Sequence, residues 1–156
     1  MKTNTFQKIN GKGFKIAIVQ ARFNREITDG LSGGALKALK EADAANPEIF
    51  LAPGAFEIPL ICQKLAKTEK FGGIIAIGAV IKGETAHFDY VAKAAADGIL
   101  KVMLECGIPI AFGVLAAYDL EQAKARAQDD KNNKGYEAAL ALVETIKVIN
   151  ELNENF

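Results

Sequence analysis

The chain of 156 residues has no tryptophan, one histidine, two cysteines and four prolines. Each scarcity excludes something. With a single histidine and no closely spaced cysteine pair, a catalytic metal site has too few of its customary ligands. Cys62 and Cys106 fall in helix-like stretches without CxxC spacing, so they read as buried free thiols, and no disulfide is expected. Apolar runs are short and broken by glycine or charge, and the opening Met1-Lys2-Thr3-Asn4 lacks the apolar stretch of a secretory signal. A membrane span and export are both unexpected, and the cytoplasm is the expected location. Net charge is absent too: nineteen basic residues face nineteen acidic ones with no block of one sign, which leaves no field to draw nucleic acid or an anionic membrane surface.

What is present is apolar substance, half of all residues, enough for one domain over 1–156 with 1–12 as an N-terminal extension. Short β-rich runs alternate with helical patterns. "KIAIVQ" (15–20), "EIFLA" (48–52), "GIIAIGAV" (73–80) and "PIAFGVL" (109–115) read as strands, three of them almost unbroken apolar runs of the kind covered on both faces of a parallel sheet. Between them Ile27, Leu31, Leu36 and Leu39 recur at helical spacing. "FEIPLICQKLAK" repeats the pattern with Pro59 in a first turn, and a third helix is expected over 88–106, stopped by Gly107 and Pro109. Asp119 with Gln122 resembles a capping box, and "NKGYEAALALVETIKVINELN" makes a long last helix, its start weakened by Gly135. The expected fold is α/β: a flavodoxin-like three-layer αβα sandwich on a four-stranded parallel sheet. The segment "NTFQKING" (4–11) has alternating character but no place in this order, and reads as an edge strand added to a neighbouring subunit's sheet.

Ligands of open parallel sheets bind beyond the carboxyl ends of the strands. Unusual residues cluster there. Gly83, Glu84 and Thr85 outline an anion site of backbone amides and a hydroxyl, although a plain helix start capped by Thr85 fits the same letters. His87, an imidazole able to take up and release a proton, follows two residues later. Phe23 and Asn24 suit a flat heterocycle or, equally, a plug at the sheet end. Phe56 and Glu57 offer a wall and a carboxylate, or only an acidic first turn. Arg126 and Lys134 lie off to the side, where surface charges are common and from where a neighbouring chain could also be served.

Taken in order, "RFN", "PGAFEIP", "GAVIKGETAHFDYV", "FGVL…EQAKAR" and "NKG" resemble the lumazine synthase family over most of the chain. The resemblance implies condensation of a ribitylaminouracil with a dihydroxybutanone phosphate, two small-molecule substrates, without cofactor or metal, in a homo-oligomer with sites between subunits. A pentamer is implied, and in some members a sixty-subunit icosahedral capsid. It further implies Phe23 over the pyrimidine, with Asn24 nearby, and Ala55, Phe56 and Glu57 along the ribityl chain. Ala79, Val80 and Ile81 would border the ring, and Gly83, Glu84 and Thr85 would hold phosphate with a neighbour's Arg126. Lys134 of that neighbour would reach the carbonyl side of the ring, its Phe112 would close the wall, and His87 would carry protons. Ala116, Ala117, Ala125, Gln128 and Asn132 depart from the family's usual letters, and Asp129 and Asp130 add acid beside Arg126. Two rival roles share the fold: a non-catalytic flavin or lumazine binder, and a capsid-forming shell protein.

Overall fold

Strand-forming runs that are apolar on both faces demand a cover on each side, and the chain supplies it. The computed structural model describes residues 6, 7 and 9–156. Four strands, β1 (Ile16–Ala21), β2 (Glu48–Ala52), β3 (Gly73–Ile81) and β4 (Ile110–Ala117), are all parallel in the order β2-β1-β3-β4. Helices α1 (Arg25–Glu41), α4 (Leu120–Ala125) and α5 (Lys134–Asn155) cover one face. On the other lie α2 (Ile58–Lys67), preceded by a short 3-10 turn at Ala55–Glu57, and α3 (His87–Cys106). The expected sandwich is the observed one.

Side chains alternate across the sheet as strand geometry requires. Ile16 and Ile18 of β1 join Ile27, Leu31, Leu142 and Val143 in one apolar layer, while Ala17 and Val19 join Ile58, Cys62, Ile99 and Val102 in the other. Burial pushes the Cys62 thiol up to about 12, so it is an inert packing group. Gln20 is the polar exception on β1. Its amide donates to Asp29 Oδ1 at 2.7 Å and its carbonyl accepts from Ser32 Oγ at 2.7 Å, which fixes how α1 sits on the strand. Buried polar atoms tolerate the interior only when paired in this way.

Element ends show where local chemistry decides. β4 runs two residues past its expected end because Ala116 and Ala117 pair with Val80 and Ile81. Asp119 caps α4, accepting from Gln122 N at 2.8 Å. The last helix starts one residue later than its motif, since Asn133 lies outside the helix as its cap. Of the strand expected over 4–11, residues 4, 5 and 8 lie outside the described residues. Residues 6, 7 and 9–11 form no strand; Phe6 and Ile9 pack on the α1–α5 layer, and Gly11 N donates to Ala42 O.

Candidate functional site

The strand order places β1 and β3 side by side at the centre, so the loops leaving them diverge to opposite faces and open a crevice. Asn24 stands at its base. Its backbone is left-handed (φ 59°), a conformation asparagine tolerates better than most residues, and its side-chain amide donates to Ala79 O at 2.8 Å, tying the end of β1 to the end of β3. Arg22 N and Phe23 N donate to Ala52 O and Pro53 O, which ties the same loop to the end of β2. Three strand ends are thereby locked together.

The crevice widens into a cleft of about 720 Å³, a size suited to one or two small molecules. Phe23 and Phe56, 71% and 61% exposed, stand as aromatic walls, which a folded monomer does not need for its own core. Ala55, Glu57, Ala79, Val80, Ile81, Gly83, Thr85 and His87 line the remainder. Glu84 is exposed and its side chain is not part of the lining. Tyr90, which the sequence reading passed over, also lines the cleft; it lies three residues beyond His87 on the same helix face, a spacing that could have revealed it.

The turn at 83–85 leads into α3. Lys82 N still bonds Ala117 O, but among the described residues the amides of Gly83, Glu84 and Thr85 have no partner within the chain. Thr85 does not cap the helix as Ncap. That position is Ala86, and Thr85 Oγ1 instead accepts from His87 N at 3.4 Å, leaving its hydroxyl hydrogen to give elsewhere. Free amides at the positive end of a twenty-residue helix make a natural anion cradle. A Cβ at Gly83 would meet nothing within 4 Å, so the fold of this chain gives no reason for a glycine there.

Phe112, Arg126 and Lys134 are elsewhere. They line a separate depression of about 320 Å³ along β4, an edge strand, with Ala116 and Ala138. Arg126 Nη1 donates to Gln122 O, and Lys134 Nζ lies 2.9 Å from Glu137 Oε2. Asp129 pairs with Lys37 of α1 rather than with Arg126, and Asp130 accepts from Asn132 N. The residues singled out in the sequence thus form two groups with no lining residue in common.

Fold and cleft define a flavodoxin-like α/β protein that offers aromatic walls, an anion cradle and one titratable imidazole in a single crevice. The match to known proteins is specific. Residues 13–150 fit the model of the 6,7-dimethyl-8-ribityllumazine synthase family. Synthases of that name from Desulfovibrio desulfuricans and Nitratidesulfovibrio vulgaris are 48% and 47% identical over 147 residues, each alignment covering 93% of this chain and 94% of the relative. The 6,7-dimethyl-8-ribityllumazine synthase 1 of Caulobacter vibrioides is 48% identical over 143 residues, covering 90% of this chain and 94% of that one. The chain belongs to the 6,7-dimethyl-8-ribityllumazine synthase family.

Proposed function

We propose that the chain condenses 5-amino-6-(D-ribitylamino)uracil with 3,4-dihydroxy-2-butanone 4-phosphate, forming 6,7-dimethyl-8-ribityllumazine, phosphate and water in riboflavin biosynthesis. Family membership carries the reaction. The structural observation that supports it most is the chain's one histidine lining the same cleft as the free-amide turn.

In this reading Phe23 stacks on the pyrimidine, and Asn24 offers its side-chain oxygen nearby. Ala79, Val80 and Ile81 border the ring, while Ala55, Phe56 and Glu57 receive the ribityl chain. Gly83, Glu84 and Thr85 hold the phosphate through their amides and the Thr85 hydroxyl, Glu84 contributing backbone alone. The uracil amine attacks the ketone and water is lost as the imine forms. Phosphate then leaves by elimination, the enol tautomerises, and the ribitylamino nitrogen closes the ring with loss of a second water. Each step relocates a proton, which His87 can accept and return. Holding both reactants in one orientation supplies much of the remaining acceleration.

Departing phosphate calls for fixed positive charge, and the cleft lining holds no lysine or arginine. Arg126 supplies it if the β4 edge of one copy closes over the cleft of the next, with Lys134 reaching the carbonyl side of the pyrimidine and Phe112 finishing the wall. Joining two different patches head to tail generates a ring rather than a twofold dimer, which fits a pentamer. Sedimentation separates a pentamer from a sixty-subunit capsid. Two free thiols fit a reducing compartment, and we assign the enzyme to the cytoplasm. The test of function mixes both substrates with the protein and follows lumazine absorbance and phosphate release. Equal rates with and without protein overturn the reading.

A further inference from the structure

We infer that Asn133 is a positioning residue for the phosphate-binding cation, acting through Arg126 and not on the substrate. This rests on the reading above that Arg126 holds the phosphate. Asn133 is 1% exposed, and every polar position of its amide that the fold can use is used. Oδ1 accepts from Gly135 N at 2.9 Å and Tyr136 N at 3.0 Å. Nδ2 donates to Gly30 O at 3.0 Å and Gln128 O at 2.9 Å.

The two halves of that amide do different work. Capping α5 needs only the acceptor, which aspartate or serine would provide equally well. The two donated bonds are surplus to capping. One reaches α1, the other reaches the loop joining α4 to α5, and so the nitrogen clamps that loop to the body of the protein. Space has been cleared for it: a Cβ on Gly34 would come within 2.1 Å of Asn133 Oδ1, and one on Gly30 within 2.5 Å of Ala127 O.

Arg126 and Lys134 stand at the two ends of the clamped loop and are themselves joined, Lys134 N donating to Arg126 O at 2.9 Å. The loop's other tie to α1, between Lys37 and Asp129, is exposed and holds little. With the nitrogen of Asn133 removed, the backbone that carries both cations loses its buried anchor while the helix keeps its cap. A shift on the order of 1 Å in a charged group that must meet a phosphate is enough to weaken its grip severalfold to a hundredfold.

The experiment compares Asn133→Asp and Asn133→Ser with the unmodified full-length assembly, measuring kcat, KM for each substrate, Tm and the binding of inorganic phosphate. Expected is a rise of about tenfold or more in KM for the phosphorylated ketone and a matching loss of phosphate affinity, with kcat within about threefold. Adding Arg126→Ala to either variant should raise that KM no further than Arg126→Ala alone, since both act on one contact. A folded variant with lowered Tm and unchanged KM overturns the inference, as does full additivity with Arg126→Ala. Arg126→Ala alone separates the two claims. If it leaves KM unchanged, the phosphate reading falls and takes the inference with it; if it raises KM while the Asn133 variants do not, only the inference falls. Should substitution of Asn133 prevent assembly, Gly30→Ala presses on the Ala127 carbonyl with Asn133 intact, and it is expected to raise the same KM.

Discussion

Helix propensity alone says that replacing a helical glycine by alanine stabilises by about 0.5–1 kcal/mol, and α1 and α5 together hold Gly30, Gly33, Gly34 and Gly135. Packing reverses that sign at Gly135. A Cβ there would lie 1.8 Å from Leu31 O, where real Cβ contacts essentially never fall below 3.0 Å. The obstacle is backbone on a buried helix turn, so no rotamer change relieves it. The first turn of α5 must withdraw from α1 by more than about 1 Å, parting a seam packed by Leu31, Leu142 and Val143 and stretching the Asn133 bonds. A cost of about 3 kcal/mol follows for Gly135→Ala, which for a chain of this size lowers Tm by roughly 6–12 °C. At Gly33 the same substitution meets nothing within 4 Å and should raise Tm by roughly 1–4 °C. Thermal unfolding of both variants at one fixed protein concentration is the assay, since assembly makes Tm concentration-dependent. A Gly135→Ala protein that melts within about 2 °C of the parent would refute the close-contact reasoning.

Three further outcomes are expected. His87→Ala should lower kcat by about 10²–10³ with both KM values little changed, as loss of a proton carrier does, and steady-state kinetics showing an unaltered kcat would remove His87 from the reaction. Co-assembling His87→Ala chains with Arg126→Ala chains should restore about a quarter of the seams, because a random mixture pairs an intact cleft with an intact β4 edge that often. No recovery over the two separate variants would place the site within one chain. Finally, the raised Cys62 pKa means that above about pH 9 the unfolded chain loses a proton that the folded chain keeps, so stability is full below that pH and falls by about 1.4 kcal/mol per unit toward pH 12. Tyr136, whose hydrogen bond to Glu41 raises its pKa, acts in the same direction. Denaturant melts of parent and Cys62→Ala across that range test it, the variant being expected to lose part of the slope.

Apolar runs and glycine stops made the sheet legible, because strands buried on both faces carry their signal in every residue. β1, β2 and β3 begin and end within one residue of the reading from letters alone. The same holds for α3, halted at Gly107, whose φ of 63° is what glycine permits. The end of β4 was hidden because alanine has no strong strand preference, and only pairing with Val80 and Ile81 extends it. Asn133 was hidden for a related reason. Inside "NKGYE" it looks like one polar residue among several, and its four bonds reach partners as far away as Gly30. Gly135 looked like a weak helix start, while its true cause is the backbone of Leu31, more than a hundred residues earlier.

The division of the site into two groups follows from strand order. β2, β1 and β3 are neighbours, so loops from their ends meet over one crevice, and Asn24 can bridge β1 to β3 directly. β4 lies outermost, and α4 and the start of α5 pack back over its other side, which carries Phe112, Arg126 and Lys134 away from His87. β4 is an edge strand of the sheet. An edge strand is also where a second copy can approach without disturbing the core. On the proposed reading, the phosphate-binding arginine is held on a surface prepared by Asn133 and meets its anion only on assembly. If the cations belonged to their own chain's cleft, a monomeric variant would retain phosphate affinity; the geometry predicts that it loses both phosphate binding and turnover together.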